Sequence, residues 1–133
     1  MFKIKILIVD DSATARKLIK KSIEICGLTD GQFLEASNGN QALEILHQQM
    51  VDLVFTDLNM PEMDGTSLLK RIKASPKLNH LPVVVITSLK NQAAEKLLIA
   101  EHAFAVLAKP LKLPEVHQVL QQVMKSAWQE ELL

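Results

Sequence analysis

The sequence predicts a doubly wound α/β fold built on a parallel five-stranded sheet. Short apolar runs alternate along the chain with segments of helical periodicity. The runs at 4–9 and 83–86 are nearly continuous in Ile, Leu and Val, which is typical of parallel strands covered by helices on both faces. A chain of 133 residues without a linker or an internal repeat is the size of one such domain, so we expect residues 1–133 to form a single unit.

Each predicted element has its own signal. The five predicted strands are residues 4–9, 33–36, 51–56, 83–86 and 105–108. Ser12 can cap the first helix, which places Ala15, Leu18, Ile19 and Ile23 inward and stops at Gly27. The second helix follows the turn at 37–39, the third ends before Pro76, the fourth covers about 92–101, and the last begins near Pro114.

The order of these elements is five repeats of strand and then helix. Such (βα)₅ chains usually adopt the flavodoxin-like strand order 2-1-3-4-5, and they bind ligands beyond the carboxyl ends of the strands where the strand order reverses. In that order the crevice lies between the first and third strands. The residues that leave these two strands are Asp10, Asp11 and Asp57.

Composition excludes several classes of function. Fifteen basic residues balance fifteen acidic ones, so no strong field exists to recruit nucleic acid or an anionic membrane. Cys26 is the single cysteine, which rules out an internal disulfide. The amino terminus lacks the pattern of a signal peptide, and no apolar run is long enough to span a bilayer. We therefore expect a cytoplasmic monomer that contacts neither nucleic acid nor membrane.

Three carboxylates in one crevice point to a bound cation. Without one they would repel one another and raise each other's pKa. Mg²⁺ prefers oxygen ligands and commonly uses one or two carboxylates together with a phosphate oxygen. Asp10 or Asp11, Asp57 and a backbone carbonyl near Asn59 could supply the ligands from the protein.

Two further side chains are predicted at the same sheet edge, and they suit a phosphoryl group. Thr87 ends the fourth strand and Lys109 follows the fifth. A lysine ammonium is a compact charge for phosphate, and a hydroxyl can donate to a phosphoryl oxygen. Asp57 would then be the nucleophile, because a carboxylate can accept a phosphoryl group to give an aspartyl phosphate.

The segments ILIVDDSATARK, FTDLNMPEMDG, VVVITS and AKPL together resemble the receiver domain of two-component response regulators. The resemblance covers residues 3 to about 127 and is strongest to the stand-alone receivers of bacterial chemotaxis. It implies that Asp57 takes a phosphoryl group from a histidine of a sensor kinase or a phosphotransfer protein. It also implies that Asp10, Asp11, Asp57 and the Asn59 carbonyl surround Mg²⁺, that Thr87 and Lys109 read the phosphate, and that Lys109-Pro110 is a cis peptide.

Two positions depart from the pattern of that family. Val106 stands where the family usually has an aromatic residue, and His102-Ala103 stands where it favours Gly-Ala. We expect the phosphorylation chemistry to survive both changes. The resemblance implies that the conformational change caused by phosphorylation reaches the outer surface through this aromatic residue. Val106 has no ring, which puts that route of signal transmission in question.

The leading interpretation is therefore a signalling receiver that assists its own phosphorylation and dephosphorylation and acts on an unknown downstream protein. A Mg²⁺-dependent phosphohydrolase of the haloacid-dehalogenase type is a second hypothesis. Those enzymes carry a second acidic residue where Asn59 stands, and they have a cap insertion that this chain lacks. A third hypothesis is a receiver-like module that binds partners without phosphorylation. The complete set of Asp10, Asp11, Asp57, Thr87 and Lys109 argues against it.

Overall fold

The computed structural model describes residues 4–28 and 30–132, with side chains as far as residue 125. Strands and helices alternate throughout. The strands are β1 (Lys5–Val9), β2 (Gln32–Ala36), β3 (Leu53–Asp57), β4 (Val83–Thr87) and β5 (Ala105–Ala108). The helices are α1 (Ala13–Ile25), α2 (Gly39–Gln48), α3 (Gly65–Ala74), α4 (Gln92–Ala100) and α5 (Leu113–Leu132).

The five strands form one parallel sheet in the order β2-β1-β3-β4-β5, which confirms the predicted fold class. The order reverses between β1 and β3, whose register runs from Ile6 opposite Leu53 to Val9 opposite Thr56. The carboxyl ends of these two central strands therefore open into the same crevice at one edge of the sheet.

Two apolar layers cover the two faces of the sheet. One layer places α2, α3 and α4 against strand residues such as Leu7, Val54 and Val85. The other places α1 and α5 against Ile6 and Phe55, among others. Because successive strand residues point to opposite faces, continuous apolar strands supply both layers.

Side-chain caps fix where the first four helices begin. The side-chain oxygens of Ser12, Asn38, Asp64 and Asn91 each accept a hydrogen bond from the backbone N–H three residues later. Each such cap stabilises a helix end by about 1 kcal/mol. Among the described residues, none of the helices has the length and apolar content needed to cross a bilayer.

One expectation about α1 is wrong. Leu18 was predicted to face inward, but 63% of its surface is exposed. The buried residues of this helix are Ile19 and Ile23, one turn apart. Leu18 is rotated about 100° from Ile19 and lines a surface pocket together with Pro110 and Leu111. The predicted stop is confirmed, since Gly27 takes a positive φ of 106° just beyond the helix.

Candidate functional site

Three carboxylates meet at the carboxyl ends of β1 and β3. Oxygen atoms of Asp10, Asp11 and Asp57 all lie within 4.8 Å of one another. Asp57 is the last residue of β3, and both it and Asp10 are buried, whereas Asp11 is exposed. The structure therefore brings together the three acidic residues that the sequence predicted at this edge.

Lys109 enters this cluster from β5. Its Nζ lies 3.1 Å from Asp10 Oδ2 and 3.1 Å from Asp57 Oδ1. The backbone N–H of Lys109 donates to the carbonyl of Thr87 at 2.9 Å, which fixes the point where the side chain leaves the sheet. Burial by itself would lower the pKa of Lys109, but hydrogen bonds and charge from Asp57 and Asp10 outweigh burial and raise it. The lysine is thus held as a cation between two carboxylates.

The pKa of the Asp57 carboxyl group is also raised, but for an acid this shift disfavours the charged form. Burial raises its pKa above the ordinary value, and the neighbouring charge of Asp10 adds to this effect. The hydrogen bond from Lys109 opposes both and only partly offsets them. The ionised form of Asp57 is therefore under-compensated by the protein alone, which favours binding of a further cation.

The loop after β3 turns sharply away from Asp57. The N–H of Gly65 donates to the carbonyl of Leu58 at 2.8 Å, and a Cβ atom at position 65 would collide with the main-chain oxygen of Asp57. Only glycine allows this approach. Asp64 then caps α3 through Ser67 N–H. This geometry explains why the sequence places Asp-Gly seven residues beyond the acidic strand end.

Thr87 and Asn59 are the other two residues that the sequence predicted at this site. Thr87 is the fully buried last residue of β4, one position beyond Ile86, which pairs with Asp57. Its hydroxyl oxygen accepts a hydrogen bond from Leu89 N–H at 3.1 Å and keeps its own proton available. Asn59 lies exposed on the loop two residues after Asp57.

The Lys109-Pro110 peptide is cis, as the resemblance implied. The two residues that depart from the family pattern, His102 and Val106, lie in different surroundings. His102 takes a φ of 71°, the left-handed conformation in which glycine is the easiest residue to place. Val106 is buried and packs in the same apolar layer as Leu98 and Ala103.

Sequence reasoning did not single out Arg16 as a residue of this site. Its Nη1 donates to the main-chain oxygen of Asp10 at 2.6 Å, and its Nε donates to Glu35 Oε1 at 2.8 Å. Its place in the first turn of α1, six residues after Asp10, is the only sequence signal for this contact. That signal does not show which way the side chain turns.

A (βα)₅ sheet with an acidic cluster and a lysine at its switch point is the arrangement that the resemblance to receiver domains implied. The sequence profile of the response regulator receiver domain matches residues 6–121, and this chain belongs to that family. The fold and the family predicted from the sequence are thereby confirmed.

Individual relatives agree with this assignment. The chain is 44% identical over 84 residues to the chemotaxis protein CheY of Pseudomonas aeruginosa, which is 63% of this chain and 66% of that protein. It is 46% identical over 84 residues to chemotaxis protein CheY-3 of Vibrio cholerae, again 63% of this chain and 63% of that protein. These alignments thus span just under two thirds of each relative's length. A crystal structure of a receiver domain protein from Clostridium thermocellum superposes with a TM-score of 0.81 at 28% identity, covering 98% of this chain and 99% of that one.

Proposed function

We propose that Asp57 accepts a phosphoryl group from a phosphohistidine of a sensor kinase or a phosphotransfer protein. The observation that carries this proposal is the placement of Lys109 Nζ 3.1 Å from Asp57 Oδ1 inside a cluster of three carboxylates. An oxygen of Asp57 attacks phosphorus as the bond from phosphorus to the histidine nitrogen breaks. The electron pair of that bond stays with the departing imidazole, so the reaction needs no oxidant or reductant.

Mg²⁺ fits the donor set of this site. The carboxylates of Asp10, Asp11 and Asp57 and the main-chain carbonyl of Asn59 would hold it, and all are the oxygen ligands that this ion prefers. When bound, the ion neutralises negative charge that would otherwise build up as a phosphate approaches the aspartates. The under-compensated charge of Asp57 supports this assignment.

The remaining residues act on the phosphoryl group itself. Lys109, held as a cation beside Asp57, compensates the charge on the phosphoryl oxygens. The hydroxyl of Thr87 can donate its proton to one of these oxygens while it still accepts from Leu89 N–H. This donation couples the phosphoryl group to the loop between β4 and α4.

We further propose that the chain is a switch protein rather than an enzyme with an external substrate. A phosphohydrolase of the haloacid-dehalogenase type is disfavoured because Asn59 replaces the second acidic residue. The segment between β3 and α3 is also only residues 58–64, too short for a cap. The names of the two bacterial relatives support a role in chemotaxis signalling. A cytoplasmic location, a monomeric state, a single domain and independence from nucleic acid and membrane stay predictions from the sequence.

Intact-mass analysis with acetyl phosphate tests this function. With Mg²⁺ present, we expect one acid-stable, base-labile phosphoryl adduct per chain, and excess chelator should abolish it. Turnover of acetyl phosphate without an adduct would instead indicate a phosphohydrolase. No reaction in the presence of Mg²⁺, together with an unchanged spectrum in beryllofluoride, would indicate a module that works without phosphorylation.

A further inference from the structure

The side chain of Arg16 joins three elements of the fold. Its Nη1 donates to the main-chain oxygen of Asp10 beyond β1, and its Nε donates to Glu35 Oε1 on β2. Only 17% of the Arg16 side chain is exposed, although 51% of the Glu35 side chain is. The guanidinium is planar and its donors are fixed relative to one another, so these two bonds set its orientation.

Every polar group of Asp10 has a hydrogen-bond partner. There are four such contacts, and Arg16 supplies one of them. The N–H of Asp10 donates to Ala36 at 3.1 Å. Its carboxylate accepts from Ser12 N–H at 2.9 Å and from Lys109 at 3.1 Å. Its main-chain oxygen accepts from Arg16 at 2.6 Å.

This main-chain oxygen needs a side-chain partner because it lies past the end of the strand ladder. The register of β1 with β3 ends at Val9 opposite Thr56, one residue before Asp10. Asp10 itself is 1% exposed, so water has little access to this residue. A buried carbonyl without a partner costs about 1–3 kcal/mol, and the peptide would turn to find one. Such a turn would carry the Asp10 carboxylate with it.

We propose that Arg16 is a positioning residue of the acidic site, which holds the Asp10 peptide so that its carboxylate faces a divalent cation. This inference rests on the proposed function, because it concerns binding of Mg²⁺ to the same carboxylates. Mg²⁺ demands near-ideal octahedral geometry, so small displacements of a ligand or of its hydrogen-bonded waters weaken binding. Glu35 contributes by fixing the guanidinium plane.

Positioning and simple charge predict opposite effects when Arg16 is changed. As a positive charge beside the cluster, Arg16 repels a divalent cation, and its removal should tighten Mg²⁺ binding. As a positioning residue it aids binding, and its removal should weaken Mg²⁺ binding. The sign of the change therefore separates the two roles.

The test is a titration of the full chain with Mg²⁺, followed by calorimetry or by amide chemical shifts. We expect Arg16→Lys to raise the Kd for Mg²⁺ by about tenfold, the lower end of the effect of outer-shell partners. Arg16→Gln should raise it by less, about threefold, because loss of a repelling charge offsets part of the effect. Arg16→Lys keeps the charge but cannot make two fixed bonds at once. The matched control is Lys17→Gln, which removes the same charge from the exposed neighbouring position and should leave the Kd unchanged or slightly lower.

Glu35 provides a second route to the same answer if changes at Arg16 prevent folding. Glu35→Ala should raise the Kd by a smaller factor, about threefold. Glu35→Gln keeps an acceptor for Arg16 Nε, so its Kd should stay close to that of the unchanged chain. An unchanged or lower Kd in Arg16→Lys, or in Glu35→Ala if the former does not fold, would overturn the positioning role. Failure of the unchanged chain to bind Mg²⁺ would contradict the proposed function itself.

Discussion

Lys109 Nζ lies at the same distance, 3.1 Å, from a carboxylate oxygen of Asp57 as from one of Asp10. The ammonium therefore places one positive charge between the two acids. A divalent ion that binds the cluster would lie near this ammonium, whose positive charge opposes its binding. Under the proposed function, Mg²⁺ and Lys109 would therefore compete for the charge of the two aspartates before phosphorylation and would act together during it.

Lys109→Gln should tighten Mg²⁺ binding and slow phosphorylation. Loss of the ammonium removes both the competitor and a repelling charge, so we expect the Kd for Mg²⁺ to fall by at least about threefold. The rate of adduct formation should fall by more than about tenfold, because charge compensation at the phosphoryl group is lost. Calorimetry and intact-mass kinetics measure the two effects. Lys112→Gln, at an exposed position on the same loop, is the control and should change neither.

Asp57→Asn should abolish the phosphoryl adduct and stabilise the metal-free fold at neutral pH. The folded-state pKa of Asp57 is raised, so the unfavourable charge is fully present above that pKa and disappears below the ordinary value of 3.8. Denaturant titrations at pH 7 and at pH 3 should therefore show a stabilisation only at pH 7. Equal stabilisation at both pH values, or a surviving adduct, would contradict the role given to Asp57.

His102→Gly should stabilise the protein. His102 holds a φ of 71°, and glycine relieves the steric cost of that conformation. The greater freedom of glycine in the unfolded chain offsets part of this gain, so we expect about 0.5–1 kcal/mol in the free energy of unfolding. His47→Gly, in the last turn of α2, is the matched control and should destabilise by about 0.3–0.5 kcal/mol, because histidine is itself a weak helix former. A destabilised His102→Gly variant would refute this explanation.

Lys73→Met should destabilise the turn that precedes β4. The Lys73 ammonium donates to the main-chain oxygens of Asn79 at 3.1 Å and Leu81 at 2.6 Å. Removal leaves the carbonyl of buried Leu81 short of a donor, whereas exposed Asn79 can turn to water, so we expect the free energy of unfolding to fall by about 1 kcal/mol. Lys70→Met on the same helix tests the specificity of this effect. Lys70 is exposed and 4.0 Å from Glu101, so its loss should cost less than about 0.5 kcal/mol.

Phosphorylation should move the loop after Thr87 and α4 with little rearrangement at Val106. Val106 is buried, and its branched side chain has few rotamers and no ring to exchange between exposed and buried positions. Methyl and amide chemical shifts with and without beryllofluoride test this expectation. A large rotamer change at Val106 with α4 unmoved would contradict it.

The fold was predictable because its signals are local and repeated. Continuous apolar strands, capping side chains and Gly27 each specify their own element, and the strand order follows from the alternation of strands and helices. The cluster of Asp10, Asp57 and Lys109 followed from that order alone, since parallel strands deliver their last residues to one edge.

Features that depend on side-chain direction were not predictable in the same way. The helical repeat predicted that both Leu18 and its neighbour Ile19 face the sheet, because both fit an apolar stripe of ordinary width, but only Ile19 does so. The contact of Arg16 with the Asp10 carbonyl depends on a rotamer and on Glu35 of an edge strand. Neither of these can be inferred from spacing along the chain.

The division of the sheet into two covered faces also has a consequence for synthesis. The face that carries Ile6, Ile8 and Phe55 is shared by α1 and α5, and α5 leaves the ribosome only after all five strands of the sheet. Until it does, α1 alone shields that face, and a nascent or truncated chain presents apolar strand surface to its surroundings. Premature stop codons before residue 113 should therefore yield chains that aggregate or are degraded, even though every aspartate of the crevice has already been made.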